Sequence, residues 1–482
     1  MSPVMKEKKR VLMVVLPYYW QIFGDSMVRA AVSEGYMVLS IGVLAGAVRA
    51  GGHEARILDL NLVKEPASYF IRYLADYRPD VVGITFTTPL VRLAGSYAAI
   101  VKEHLPSCTV VCGGPHPTIM PQEVLEETKF DLVVCGEGDH SFVDIVDGKA
   151  WDEIEGVAFL RDGQFVRTKP RPVFWELDQL SMPAYDLYEI NRYNHPRVVA
   201  RRNPVAAMET SRGCFGGCTF CNSRRTKFRV KSAERIFAEM EYAKSLGYRE
   251  IHLVDDMFTA NLKRAKGVCR YIIEKKLDIS WYPRGGIRVD VVDQELFDLM
   301  KQAGVWHVPF GIESGNQKVL DQTLKEISLD EVRGAIRMAK KAGLETEGYF
   351  MFGLDGETEE SMKETIKFSL SLDLDYAKYA ITIPLPGTPL FEGWERKGLI
   401  KTKDWAKYTF STPPEEIYAH PTLDPALIYK YYRAAPRKFY LRPTYIARRF
   451  VRGVRTGDLI HDIKTFLRVN WFTNVDIMPS SG

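Results

Sequence analysis

The chain has 482 residues, 46% of them hydrophobic and 26% charged, and 65 Lys+Arg against 61 Asp+Glu leave a net charge of +4. That length calls for two or three domains of ordinary soluble composition, and the charge is too mild to argue for nucleic acid. No run of 18 apolar residues could span a membrane, residues 1–10 lack the pattern of a signal peptide, and seven cysteines in so long a chain are no disulfide scaffold, so a reduced, cytoplasmic setting is expected.

Residues 10–147 alternate strand and helix signals. Short valine-rich runs at 11–16, 55–58, 80–85, 109–112 and 131–135 read as strands covered on both faces. Helical patterns lie between them, for example at 41–50, ended by Gly51-Gly52, and at 91–104. This rhythm predicts a Rossmann-like, doubly wound parallel sheet over residues 1–147, whose ligands bind beyond the carboxyl ends of the strands. Pro17-Tyr18-Tyr19-Trp20 follows the first strand, Phe86-Thr87-Thr88 the third, Gly113-Gly114-Pro115-His116-Pro117-Thr118 the fourth and Gly136-Glu137-Gly138 the fifth. Cys108, Cys112 and Cys135 sit on or beside these strands and read as small hydrophobes, as does Cys269 in a later helical pattern.

Residues 148–203 read as an ordered connector. A hairpin over 154–168 turns at Asp162-Gly163, and prolines at 170, 172 and 183 with Phe174, Trp175, Tyr185 and Tyr188 suit a strap packed between two domains.

The βα rhythm restarts at Pro204, with strand-like segments at 205–209, 250–254, 279–282, 307–311, 345–352 and 376–383. Residues 233–246 are helical, with Ile236, Phe237, Met240 and Ala243 on one face. Six such units over 204–398 predict a partial (β/α)6 barrel of the TIM type, with its site at the carboxyl ends of the strands. After the first strand comes Thr210-Ser211-Arg212-Gly213-Cys214-Phe215-Gly216-Gly217-Cys218-Thr219-Phe220-Cys221, three cysteines spaced CxxxCxxC. Glycines let such a loop wrap closely and aim three thiolates at one point. Thiolate suits iron–sulfur clusters and zinc. A closed zinc site needs a fourth ligand, and His195 and His252 lack zinc-finger spacing, which leaves only a zinc knuckle with a distant ligand. Three cysteines without a fourth fit a 4Fe–4S cluster with one open iron.

This spacing, with an aromatic residue before the last cysteine, resembles the signature of radical S-adenosylmethionine (SAM) enzymes. The resemblance implies that Cys214, Cys218 and Cys221 ligate a 4Fe–4S cluster whose open iron chelates S-adenosylmethionine, and that Phe220 packs beside the adenosine. It implies further cofactor contacts at the strand ends. Asp255 and Asp256 would receive the methionyl ammonium, Glu313 the ribose hydroxyls, and the backbone at Gly353 the adenine. Arg284 or Arg288 would meet the methionyl carboxylate, although Arg288 could instead anchor a helix start through Asp290. Pro384-Leu385-Pro386-Gly387-Thr388-Pro389 would form a rigid rim. The amino-terminal half resembles the cobalamin-binding domain of one large class of these enzymes. Cobalamin would then lie on Thr87, Gly113, Gly114, Pro115, His116, Gly136, Glu137 and Gly138. No histidine sits in a DxHxxG pattern, which leaves the axial ligand open, and Asp139-His140 departs from the Glu-plus-small pair more usual in that class.

From about residue 400 the βα rhythm is lost, and 399–482 reads as a helical cap. Residues 425–457 hold nine Lys/Arg and no acid, interleaved with aromatics. The pattern fits either an anionic partner, whether a phospholipid headgroup, nucleic acid or an anionic substrate, or a cap whose aromatics pack inward and whose charges are solvated. Phe439-Tyr440-Leu441-Arg442-Pro443 resembles tails in the subgroup of anaerobic magnesium-protoporphyrin oxidative cyclase and hopanoid methylases. The resemblance therefore implies a cobalamin-dependent methyltransferase acting on an unactivated carbon of a lipid-like, tetrapyrrole or other secondary-metabolite substrate. It also implies a low-potential electron donor such as a flavodoxin or ferredoxin, with peripheral membrane contact open. The rivals are an oxidative cyclase or radical rearrangement, and a non-catalytic cobalamin- or redox-responsive binding protein. A transfer-RNA methylthiolase would need three further amino-terminal cluster cysteines, whose spacing Cys108, Cys112 and Cys135 do not imitate. No residue earns an acid/base role, though Tyr349 and Tyr379 lie on strands near the site.

Overall fold

The computed structural model describes residues 7–18 and 35–468; Tyr19 and Trp20 lie outside them. The first half forms a seven-stranded sheet. Its strands are β1 (Arg10–Val15), β2 (Glu54–Asp59), β3 (Val81–Thr85), β4 (Thr109–Gly113), β5 (Leu132–Val134), β6 (Val157–Arg161) and β7 (Gln164–Arg167), in the order β2-β1-β3-β4-β5-β6-β7. The first five are parallel, with Val11 opposite both Ala55 and Val81. The four inner ones are buried on both faces, which is why they read as apolar runs rather than as alternation, whereas the edge strand β2 exposes Arg56. The hairpin expected in the connector does form, and it adds β6 and β7 antiparallel to the edge of this sheet.

The second half holds the barrel strands β8 (Val205–Met208), β11 (Glu250–Leu253), β12 (Ser280–Pro283), β13 (His307–Glu313), β14 (Glu345–Phe352) and β15 (Tyr376–Ile381), plus a two-stranded ribbon of β9 (Ser211–Arg212) and β10 (Arg229–Val230). They form two three-stranded parallel sheets, β12-β11-β8 and β13-β14-β15. The bridges Trp281–Val305 and Ile287–Phe310 join these sheets into one six-stranded partial barrel. Among the described residues β8 and β15 do not pair, so the wall stays open there. The helix Ala233–Ser245 buries Ile236, Met240 and Ala243 as its periodicity predicts. Phe237 is only half-buried, edge-on to Tyr271 of the next helix. The same face also buries Glu239, which Lys231 and Arg235 neutralise at 2.9 and 2.7 Å.

Three helices close the described chain: Pro425–Tyr440, Pro443–Thr456 and Leu459–Arg468. The expected cap forms, but its arginines are not simply solvated. Arg448 and Arg452 reach back to Asp373, Asp375 and Glu345, around the starts of β14 and β15, while Arg449 pairs with Asp462 of the last helix. Tyr440 and Tyr445 donate hydroxyls to the carbonyls of Ala377 and Asp375 at 2.9 and 2.8 Å. The first cap helix thus runs from Ile428, beside Gly353 at the carboxyl end of β14, to Tyr440 at the start of β15, and the following helix covers the barrel end opposite the cysteine loop. What it turns outward is apolar: Ile446, Phe450 and Val454, four residues apart on one helix face, are about half exposed. No helix among the described residues is long and apolar enough to cross a membrane.

Candidate active site

The cysteine loop leaves β8 through Gly213, whose φ of 91° is left-handed; a Cβ there would lie 2.3 Å from the Lys227 carbonyl. Three further tethers hold the loop. The Cys214 amide donates to Thr226 Oγ1 at 2.8 Å, the Thr219 amide to the Thr323 carbonyl at 3.0 Å, and the Leu390 amide to the Thr219 carbonyl at 3.0 Å. Cys214, Cys218 and Cys221 are half-buried and free of disulfides. Burial pushes all three thiols above the usual range, while the neighbouring Arg288 and Lys325 pull the other way. The Gly216 amide points at Cys214 Sγ from 3.4 Å.

No three His, Cys, Asp or Glu side chains among the described residues are close enough to share one metal ion. A 4Fe–4S cube asks for a different arrangement, because each thiolate binds a different iron and the sulfurs stand farther apart than around one ion. An all-thiol set, backed by cations and an amide aimed at one sulfur, is a donor set that fits such a cluster.

Around the thiols the predicted residues divide. Asp256 is exposed, accepts from Ser223 Oγ at 3.0 Å and lies close enough to Cys214 and Cys221 to raise both. Asp255 is buried and turned away. It accepts from the Thr210 amide at 2.7 Å, the Thr210 hydroxyl at 2.5 Å and the Ser211 hydroxyl at 2.6 Å, so it anchors the start of the loop and has little capacity left for an ammonium. Glu313 holds a left-handed φ of 67° at a bulge in β13 and pairs with buried Lys325 at 2.8 Å. Arg288 makes the Asp290 contact foreseen for it, twice at 2.9 Å, yet a Cβ on Gly216 of the loop would stand 3.3 Å from its Nη1. Phe220 is half-buried against the core. Gly353 has a φ of 82°, but a Cβ there would meet Ile428 and Tyr418 of the carboxyl-terminal region. Tyr379 is bonded to Ser369 at 2.7 Å and stacked on Phe350 and Phe352, within the core rather than the site.

The carboxyl edge of the first sheet offers a glycine-lined floor. Gly136 has a φ of 103° and open space where a Cβ would point; its amide donates to Thr118 Oγ1 at 3.0 Å. Gly113 meets only Val134, at 3.6 Å, Thr87 and Pro115 are exposed, and Gly114 has room only for hydrogen beside Thr85 and Phe86. Such a floor fits the flat face of a corrin. His116 is not on it. Its ring is fully buried, 3.3 Å from Thr88 Oγ1 and edge-on to Trp405 at 5.4 Å, and burial lowers it to about 4. Gly138 rests against Leu44.

Glu137 and Asp139 do something the sequence did not reveal. Asp139 grips Arg212 of the cysteine ribbon with both oxygens, at 2.7 and 3.0 Å, and Glu137 bonds Arg212 at 3.1 Å and Arg229 at 2.9 Å. Glu209 completes the cage at 2.7 Å. Burial works against the Asp139 charge, but Arg212 outweighs it and holds the carboxyl below its usual range. The unusual Asp139 is therefore a bolt between the two halves. The rim segment makes a second contact, with Gly387 against Ile119. Lys325 was also missed, since nothing in its local sequence marks it as the partner of Glu313.

A family model described as the Radical SAM superfamily matches residues 208–369, and one described as the B12 binding domain matches residues 26–146. An uncharacterized methyltransferase of Pyrococcus horikoshii is 34% identical over 89% of this chain and 96% of its own. The anaerobic magnesium-protoporphyrin IX monomethyl ester cyclase of Rubrivivax gelatinosus is 27% identical over 89% of this chain and 78% of its own. The hopanoid C-3 methylase of Methylococcus capsulatus is 24% identical over 92% and 84%. Among solved structures, the cobalamin-dependent S-adenosylmethionine radical enzyme OxsB shares the fold with a TM-score of 0.73 at 17% identity, over 96% of this chain and 72% of that one. The radical S-adenosylmethionine methyltransferase TsrM from Kitasatospora setae does so at 0.65 and 19%, over 82% and 77%.

Proposed function

This chain belongs to the cobalamin-dependent radical SAM enzyme family, and on that footing we propose that it transfers a methyl group to an unactivated carbon of a small molecule, with Cys214, Cys218 and Cys221 as the cluster ligands. When bound, the cluster with S-adenosylmethionine supplies a hydrogen-abstracting radical, and cobalamin supplies the methyl group. The residues position these groups. Asp256 stands at the thiols with an open carboxylate for the methionyl ammonium, and Arg288 with a free Nη1 for the carboxylate. Lys325 neutralises Glu313 and leaves it a second oxygen for ribose hydroxyls. The glycine floor from Thr87 to Gly138 takes the corrin, with Glu137 serving the join between the halves.

The observation that carries this reading is the bolt from Asp139 and Glu137 to Arg212 and Arg229. It fixes the glycine floor against the ribbon that bears the thiols, so that a substrate can lie between two cofactors with water excluded. The relatives include methyltransferases, a hopanoid methylase and a cyclase, which supports a lipid-like or tetrapyrrole substrate. Exposed Arg225 and Lys227, on the loop that carries the thiols, suit an acidic low-potential donor such as a flavodoxin or ferredoxin. The outward Ile446, Phe450 and Val454 suit peripheral membrane contact.

Anaerobic turnover with S-adenosylmethionine labelled in its methyl group tests the reaction. Label in the product is expected; a modified product without label would make the chain a cyclase or rearrangement enzyme. Absence of 5′-deoxyadenosine under strong reductant would leave only a binding protein. Reconstituted protein without a cobalamin spectrum would remove methyl transfer altogether.

A further inference from the structure

We propose that Arg284, with the buried imidazoles of His252 and His307 beyond it, forms a substrate-recognition subsite inside the barrel that receives an oxyanion, carboxylate or phosphoryl, next to a hydroxyl. The inference rests on the methyl-transfer reading only in taking the barrel interior as the substrate's place.

Arg284 stands two residues beyond Tyr282 and so continues the same face of β12. That face looks inward. Tyr282 lies edge-on to His252 at 4.4 Å and to His307 at 5.2 Å. The Arg284 guanidinium sits 3.9 Å over the ring of Tyr36. Tyr36 stacks on His195 at 4.3 Å, and His195 is 5.8 Å from His252. The Tyr349 hydroxyl donates to the Arg284 carbonyl at 3.3 Å, which fixes the backbone.

The guanidinium itself makes no hydrogen bond or ion pair with any described residue, whereas Arg212, Arg229 and Arg288 are each paired with acids. A half-buried guanidinium with five donors and one aromatic face in use presents the fork that oxyanions accept in pairs. The imidazoles complete the pattern. His252 Nε2 meets Glu250 at 3.1 Å and His307 Nε2 meets Glu347 at 3.3 Å, while the Nδ1 atoms of both are buried without a partner among the described residues. Burial first, and then the charge of Arg284, keeps His252 neutral. A ring nitrogen buried in this way asks for a partner, and a hydroxyl, which can donate or accept, suits either tautomer. Arg288 lies against the cysteine loop, its Nη1 3.3 Å from where a Cβ on Gly216 would stand, whereas Arg284 lies on Tyr36, so the two arginines face different groups.

The test uses enzyme loaded with cluster, cobalamin and S-adenosylmethionine, and two probes, lactate and methylphosphonate. Saturation-transfer difference spectra should show the probe methyl protons with the wild type. They should weaken roughly tenfold in Arg284→Met and less in Arg284→Lys. Stronger signals from lactate identify a carboxylate subsite, and stronger signals from methylphosphonate a phosphoryl one. Arg284→Gln replaces the methionine variant if that fails to fold. No signal from either probe in the wild type, or equal signals in wild type and variant, would overturn the proposal. So would loss of S-adenosylmethionine binding by equilibrium dialysis, or of bound cobalamin, in the variant, since either would assign Arg284 to a cofactor. Failure of the methyl-transfer reading shows instead in the labelling experiment and leaves probe binding intact.

Discussion

Asp139→Asn tests whether the two halves are bolted through one carboxylate. The wild-type side chain makes two charge-assisted bonds to Arg212, at 2.7 and 3.0 Å, and is buried. Asparagine keeps the shape and one acceptor but loses the charge. Arg212 retains Glu209 at 2.7 Å and Glu137 at 3.1 Å, so the loss is that of one charged hydrogen-bond pair, about 2 kcal/mol. Urea unfolding of wild type, Asp139→Asn, Arg212→Met and the double variant forms a cycle whose interaction energy should also be about 2 kcal/mol. Asp139 is depressed in the fold, so its contribution is fully present above the ordinary aspartate value of about 3.9 and is lost as pH falls through the lower folded value. The urea difference between wild type and Asp139→Asn should accordingly be constant from neutral pH to about 5 and shrink below about 4. A cycle energy within about 0.5 kcal/mol of zero would refute the reasoning, because Asp139 and Arg212 would then contribute independently.

Other perturbations follow from the same geometry. Lys325→Met leaves Glu313 half-buried beside the thiols without its cation and should lower stability by about 3 kcal/mol, with Glu313→Gln added to it restoring most of the loss; a double variant no better than the single would remove the pairing argument. Glu357 is buried with both bonds accepted from the Gly353 and Leu354 amides, and burial raises it to about 8. The folded state therefore holds a proton that the unfolded chain releases near its ordinary value, and wild-type stability should fall relative to that of Glu357→Gln as pH rises toward about 8; parallel melting curves would contradict this. Gly213→Ala would push a methyl group against the Lys227 carbonyl at a left-handed φ, so reconstituted protein should bind far less iron and sulfide than wild type; wild-type loading would show that the loop can be seated another way.

Local signals made the strands and the cysteine loop readable. Four of the five parallel strands are apolar on both faces, and three cysteines within eight residues need no distant partner to be recognised. What escaped was every pairing fixed by tertiary register. Asp255 reads as a free acid at a strand end until the register sets Leu253 beside Met208, which brings position 255 next to Thr210 and Ser211. Asp139 and Arg212 are 73 positions apart, and no periodicity links them. The carboxyl-terminal arginines looked like a solvated or membrane-facing run because their acids, Glu345, Asp373 and Asp375, belong to the barrel. Composition counts charges; it does not say which ones find each other.

The tethers of the cysteine loop set an order of events in biosynthesis. Thr219 is held by Thr323 through its amide and by Leu390 through its carbonyl, so a nascent chain carries its three thiols long before it has the socket that seats them. On the proposed assignment of the three thiols, seating a cluster fully needs the chain as far as Leu390. Chains truncated ahead of Thr323 should acquire iron no better than a short unstructured peptide bearing the same three thiols.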